Sequence, residues 1–198
     1  MIFFDLLKMK TMNSVLPISI LLTTYNRIDL LKETIEKINL STFYPFRIFV
    51  GDNASTDGTR DYLKQCKVTG KIYEYLIVEE NIGQSKLLNQ LFSLMEHFEI
   101  DRRRPMNRLF MTTNDDLYPP RLGNFCWLSR MVDILERHEP GYGGICARIQ
   151  RLPRTDIKEV GEIIPCYKGF PSVARLMVRE DFKKLGENPF GNLKKWDS

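Results

Sequence analysis

Two rhythms of apolar and polar positions alternate along the first two thirds of this chain. Ile18 to Thr24 is a run of apolar residues, with Ser19 among them, ending in threonines, the pattern of a strand buried on both faces. Ile28, Leu31, Ile35 and Ile38 then recur at helical spacing, with Lys32, Glu33, Glu36 and Lys37 on the other side. Arg47 to Val50 predicts a second strand, closed by Gly51-Asp52-Asn53. The Ser55-Thr56-Asp57-Gly58 cluster supplies turn and cap chemistry for a helix through Tyr62 and Leu63. Ile72 to Val78 reads as a third strand, and Leu87, Leu88, Leu91, Phe92 and Met95 form the stripe of the next helix. Arg108 to Met111 predicts a fourth strand. A long helix is expected after Pro119-Pro120, turning Leu122, Phe125, Leu128, Met131, Val132 and Leu135 inward. Tyr142 to Arg148 predicts one more strand, beyond which the pattern weakens.

Alternation of this kind implies an α/β sheet with right-handed crossovers, whose ligand crevice lies at the carboxyl ends of the strands. Residues 1–14 read as a short amphipathic lead-in helix, with neither the basic start nor the small-residue cleavage site of a signal peptide. Residues 15–198 read as one domain, since 198 residues are too few for two of ordinary size. A content of 43% hydrophobic and 27% charged residues excludes disorder and fibrous repeats. No apolar run approaches the ~20 residues that cross a bilayer. The net charge of +4 is too mild to argue for nucleic acid and favours an anionic ligand or surface. Cys66, Cys126, Cys146 and Cys166 form no close pair, which argues against zinc and against a disulfide framework. The expected setting is a reduced cytoplasm, or the cytoplasmic face of a membrane.

Three of the predicted strand ends carry polar clusters: Thr23 to Arg27, Asp52 to Ser55, and Thr112 to Asp116. Any one of them is explained by turn and cap chemistry; three on one rim are not. Asn114-Asp115-Asp116 is the most pointed, because adjacent carboxylates on a tight turn need a cation or protons between them. Hard oxygen ligands of this type suit Mg²⁺ or Mn²⁺, with phosphate oxygens completing the shell. Neither G-x-G-x-x-G nor G-x-x-x-x-G-K-[ST] is present, so phosphate is expected to bind through metal.

Ile20 to Arg27, Ile48 to Thr59, Asn81-Ile82-Gly83 with Asn89, and Thr113 to Pro119 together resemble the family 2 glycosyltransferases of the GT-A fold, in register from about Pro17 to Leu185. The resemblance implies a Rossmann-like three-layer sandwich with a mostly parallel central sheet. It also implies inverting transfer of a sugar from a nucleoside diphosphate sugar, a UDP-sugar by preference, to an acceptor hydroxyl on a glycan, lipid-linked or protein acceptor. On this reading Thr23 and Tyr25 border the base, Asp52 accepts from its ring N–H, and Asn114 lies near the ribose. Asp115 holds the divalent ion, with Asp116 as alternate ligand, and Lys86 approaches the diphosphate. Thr113 stands at the first position of the family's D-x-D, so one ligand is missing, and Gly51 departs from the family's usual residue.

The family's general base is expected in an acidic motif downstream of Leu185-Gly186-Glu187, about where this sequence reaches Trp196-Asp197-Ser198; Asp197 is the candidate, and part of the acceptor region is expected to be missing. Glu180 and Asp181 read as first-turn helix acids. His97 and His138 read as solvated, Trp127 as core, and Arg102-Arg103-Arg104 as an exposed loop facing phosphates at most. Rival readings are a nucleotidyltransferase, whose glycine-rich loop is lacking, and a non-catalytic nucleotide-sugar-binding module.

Overall fold

The computed structural model describes residues 15–101, 107–117, 119, 126–137, 144–147, 163–165 and 174–184. In chain order they form β1 (Ile18–Thr24), α1 (Ile28–Ser41), β2 (Phe46–Asp52), α2 (Thr59–Val68), β3 (Glu74–Ile77), α3 (Gln84–Asp101), β4 (Leu109–Asn114), α4 (Trp127–Arg137), β5 (Gly144–Ala147), β6 (Ile163–Pro165), β7 (Ala174–Val178) and α5 (Arg179–Lys183). One sheet holds all the described strands in the order β3-β2-β1-β4-β7-β5-β6. β3, β2, β1 and β4 are parallel, whereas β7 runs antiparallel to both β4 and β5, and β6 antiparallel to β5.

Helices cover both faces, giving the three layers the sequence predicts. Because side chains alternate along a strand, β1 sends Ile18, Ile20 and Leu22 to one face and Leu21 to the other. The first group packs with Leu31, Ile35 and Ile38 of α1, Leu63 of α2, and Leu128, Met131 and Leu135 of α4. The second joins Leu88, Leu91, Phe92 and Met95 of α3. On that second face Phe92, Phe110 and Phe182 meet with ring centroids 4.8 to 5.0 Å apart, tying α3, β4 and α5 together.

Several boundaries differ from those read in the sequence. β3 is shorter than Ile72 to Val78, because the Ile72 N–H is spent on the Cys66 carbonyl in the turn that ends α2. β4 runs on to Asn114, so Thr112, Thr113 and Asn114 belong to the strand, and the acidic turn proper is Asp115-Asp116. The described part of the expected Pro119-Pro120 helix begins at Trp127; Leu122 and Phe125 lie outside the described residues, as do the lead-in 1–14, Arg102-Arg103-Arg104, His138 and Asp197. β7 was not anticipated at all. It is buried on both faces, Leu176 packing into the first core and Met177 into the second, and Arg175 between Ala174 and Leu176 breaks the apolar run that would have marked it.

At the opposite edge from the polar rim, α3 is fixed to the sheet by charge. Glu99 accepts from Ser19 Oγ at 2.5 Å and pairs with Arg179 at 2.7 Å, and Arg179 also pairs with Glu96, which in turn holds Lys183. In this cluster each charge faces an opposite one, and Glu99 and Arg179 are almost fully buried.

Gly51 of β2 has a steric reason to be glycine. A Cβ there would stand 3.1 to 3.3 Å from three carbons of Leu87, so the missing side chain lets α3 lie close against the strand. Replacing Gly51 with valine is expected to cost about 1–3 kcal/mol, read as a lower urea midpoint with unchanged slope; a midpoint equal to that of the native chain would contradict this packing.

Candidate functional site

The chain adds β2 and β3 on one side of β1 and then returns to place β4 on the other. This makes the β1/β4 junction a topological switch point, where loops leave in opposite directions and a crevice opens. Here the strand ends are in register: Thr24 is opposite Asp52, and Thr23 opposite Asn114. An open cleft of about 470 Å³ lies above them, lined by Thr23, Thr24, Tyr25, Asn26, Arg27, Asn53, Gln84, Leu87, Asn114 and Asp115. The clusters that the sequence places on one rim therefore do converge.

They also bind one another. The Asn26 N–H donates to Ser55 Oγ at 2.8 Å, and Asn26 Oδ1 accepts from the Thr56 N–H at 2.8 Å. The Asn53 N–H donates to the Thr24 carbonyl at 3.0 Å. Asp57 reaches from one loop to the other: its Oδ2 accepts from the Ile28 N–H, capping α1, and its Oδ1 accepts from the N–H and hydroxyl of Thr59 at the start of α2. These bonds hold its carboxyl below the usual aspartate range despite the opposing pull of desolvation. Asn26 and Ala54 both sit at positive φ, 50° and 68°. Asparagine tolerates that region, whereas alanine there carries strain of about 1 kcal/mol or more.

Asp115 is the chemical centre of the cleft. Its side chain is 3% exposed, yet it accepts from Thr24 Oγ1 at 2.8 Å and pairs with Arg27 Nη1 at 3.0 Å. Burial pushes its carboxyl above the ordinary range, a pull that Thr24 and Arg27 oppose and neighbouring Asp116 reinforces. The turn is held from below by Thr34, a buried hydroxyl in α1 that donates to the Asp115 carbonyl at 2.8 Å and to that of Leu117 at 3.3 Å. Asp116 is half-exposed, its Oδ2 3.8 Å from the same Arg27 nitrogen, while its Oδ1 is covered and has no hydrogen-bond partner.

Asp52 is fully buried beneath the cleft wall rather than lining it, and its oxygens accept from the Ser55 N–H at 3.2 and 3.3 Å, with Arg60 Nε 3.9 Å away. Burial raises its carboxyl above the usual range as well, against those partners. Thr23 and Asn114 face each other, and Gln84 of α3 closes over them, its Nε2 donating to Asn114 Oδ1 at 2.5 Å. Tyr25 is exposed on the lip. Lys86, expected near the phosphates, is exposed and outside the cleft lining. Two residues along a helix turn a side chain roughly 200° from Gln84, whereas Leu87, three residues on, returns to its face. Helical phase alone would have picked Gln84. Arg27 and Thr34 were likewise given no role in the sequence reading; the signal for Arg27 is a basic residue where a helix starts, a place that disfavours positive charge.

Among the described residues no helix is long and apolar enough to cross a membrane. The sequence profile described as Glycosyl transferase family 2 matches residues 19–155. Compared with curated proteins by sequence, the chain has no significant match. Among solved structures it resembles the mannosyltransferase PcManGT from Pyrobaculum calidifontis, solved with GDP-Man and Mn²⁺, at a TM-score of 0.63 and 19% identity over 92% of this chain and 52% of that one. It also resembles glucosyl-3-phosphoglycerate synthase from Mycobacterium tuberculosis, solved with Mn²⁺, UDP and glucosyl-3-phosphoglycerate, at 0.55 and 16% identity over 94% and 68%. TarS from S. aureus, in complex with UDP, follows at 0.51 and 15% identity over 91% and 55%. At these identities the likeness is one of fold, and the chain spans about half the length of the mannosyltransferase.

The two raised carboxyls fix a sign for acid behaviour. Since the native state holds the Asp115 and Asp52 protons more tightly than the unfolded chain, each contributes stability that is present at low pH and is lost as pH rises through its raised native value; Asp57, with its lowered carboxyl, contributes in the opposite sense. Asp115→Asn is expected to remove part of the acid-side gain in the window just above 3.8, the ordinary aspartate value. Urea denaturation at stepped pH reads this; a stability difference from the native chain that stays constant from that window to neutrality would contradict the assignment.

Proposed function

The chain belongs to glycosyl transferase family 2 and carries its GT-A fold, and on that premise we propose that the cleft binds the diphosphate of a nucleoside diphosphate sugar, a UDP-sugar by preference, and transfers the sugar with inversion to an acceptor hydroxyl. The observation that carries this reading is the register of three strand ends, which sets the buried Asp115 carboxylate beside Thr23, Thr24 and Asn114 in one crevice.

Several residues in and beneath the cleft wall have tasks that their chemistry suits. Tyr25, exposed on the lip, offers a ring face to a base. Thr23 and Asn53 present polar atoms along the same wall, with Asp52 below them as acceptor for a base N–H once its Ser55 contact gives way. Asn114, oriented by Gln84, stands where a ribose hydroxyl is to be held.

A divalent ion fits the acidic turn. The covered, unpartnered Asp116 Oδ1 lies next to Asp115, and such paired hard oxygens suit Mg²⁺ or Mn²⁺. Among the described residues no group of three or more His, Cys, Asp or Glu assembles, so Asp115 and Asp116 would hold the ion with water and phosphate oxygens supplying the remaining ligands. When bound, the ion supplies charge neutralisation for the leaving diphosphate. The chain's own part is to position the Asp115 carboxyl through Thr24 and Arg27 and to fix the turn through Thr34. Deprotonating the acceptor needs a carboxylate on the opposite side of the sugar; Asp197 remains the candidate from sequence, outside the described residues.

A thermal-shift panel of UDP, GDP, dTDP and CMP sugars with and without Mn²⁺ tests the reading. Selective stabilisation by one nucleotide class in Mn²⁺ is expected, equivalent to about 2.7 kcal/mol at a hundredfold excess over Kd. Asp116→Ala should abolish the Mn²⁺ increment, and Asp52→Asn should reduce discrimination among bases. Equal responses to every nucleotide, or none, would overturn the proposal, and selective binding without donor hydrolysis or transfer would mark a binding module instead.

A further inference from the structure

Arg27 is the one cation in contact with the acidic turn among the described ion pairs, and its position is not explained by the helix it precedes. It occupies the N-cap of α1 with no capping hydrogen bond of its own, and the Ile28 N–H is capped from the neighbouring loop by Asp57. A positive side chain at that end opposes the helix dipole, so the local helix gains nothing from it.

Its partners are the acids of the turn instead, Asp115 lining the cleft and Asp116 following it. One nitrogen, Nη1, is shared between Asp115 at 3.0 Å and Asp116 at 3.8 Å. Two carboxylates against one guanidinium leave a negative charge unmatched. Asp115 is almost completely buried, while the Arg27 side chain is 50% exposed and lines the same cleft as Tyr25 and Asn114. A half-exposed arginine is free to change partner, and a buried carboxylate is not.

Resting on the reading of the cleft as a donor site, we propose that Arg27 is an exchangeable counter-cation: it neutralises Asp115 and Asp116 in the chain by itself, and transfers its guanidinium to the donor's diphosphate when a divalent ion takes over the carboxylates. The exchange follows from charge. A dication at these oxygens and a guanidinium about 4 Å away repel by well over the thermal energy, and the planar donor fork of arginine matches phosphate oxygens. Arg27 therefore competes with metal for the turn in the absence of nucleotide, and cooperates with metal in its presence. Thr113 at the first position of the motif fits the same scheme, because a third carboxylate there would leave the turn with still more charge than a single arginine offsets.

The test measures two affinities that are expected to move in opposite directions. Mn²⁺ alone is titrated into the native chain and into Arg27→Gln, with free Mn²⁺ followed by electron paramagnetic resonance. UDP is titrated into both in saturating Mn²⁺ by calorimetry. Arg27→Gln should bind Mn²⁺ at least about fivefold more tightly than the native chain, and UDP at least about fivefold more weakly. Arg27→Lys, which keeps the charge, should return both affinities toward native values. A purely structural role would weaken both ligands together, and that result overturns the proposal, as does a Mn²⁺ affinity in Arg27→Gln no tighter than native. A native chain that binds Mn²⁺ but neither UDP nor GDP would sink the reading of the cleft as a donor site instead, and so separates the two failures.

Discussion

A carboxylate placed where a buried strand emerges must be solvated by the protein itself, and Asp115 shows what that requires. Breaking a buried ion pair commonly costs about 3–5 kcal/mol, a figure to be discounted here because Arg27 is half in water. The fold meets the requirement from the first βα unit: the Thr24 hydroxyl at the end of β1 and the Arg27 guanidinium in the loop hold the carboxylate, and the Thr34 hydroxyl, nearly two helical turns into α1, holds the Asp115 backbone carbonyl. All three come from residues about 80 to 90 positions before the turn they support. The parallel sheet brings them there, since β1 and β4 are neighbours only because the chain crosses back over β1. The position of the acidic turn is thus a property of the topology, and the cleft inherits it.

Much of this was legible in the residues. Runs such as Ile18 to Leu22, and stripes such as Leu87, Leu88, Leu91, Phe92 and Met95, carry a period strong enough to give both the element and its buried face. The three polar clusters announce the rim because turns after parallel strands fall on one edge. Other features depend on contacts that no local pattern encodes. β7 interrupts its apolar residues with Arg175, and it sits against β4 only in space. Glu96 and Glu99 look like solvent-facing helix acids until Arg179 arrives from 83 and 80 residues away. Asp57 reads as a cap for the helix that follows it, which it is, but its second oxygen caps a different helix.

The two halves of the sheet are built on different terms. β1 to β4 follow the parallel βα rhythm, each strand feeding a helix that covers it. β7, β5 and β6 are paired antiparallel and joined by segments outside the described residues. The strands whose ends form the cleft lie on the regular half, where the positions of strand ends follow from the repeat. Beyond α4 the sequence carries little periodic information, because short antiparallel strands such as β7 interrupt their apolar residues.

The bonds joining the loop after β1 to the loop after β2 have a mechanical consequence. Because Asn26, Ser55, Thr56 and Asp57 each bridge the two segments, and Asn53 ties to Thr24, neither lip can swing outward alone. The amides of Ile28, Asn53 and Thr56 should then exchange with deuterium as one cooperative unit, released by a single sub-global opening rather than by independent fraying. That wall of the crevice is bonded into one plate, which opens as a whole or not at all.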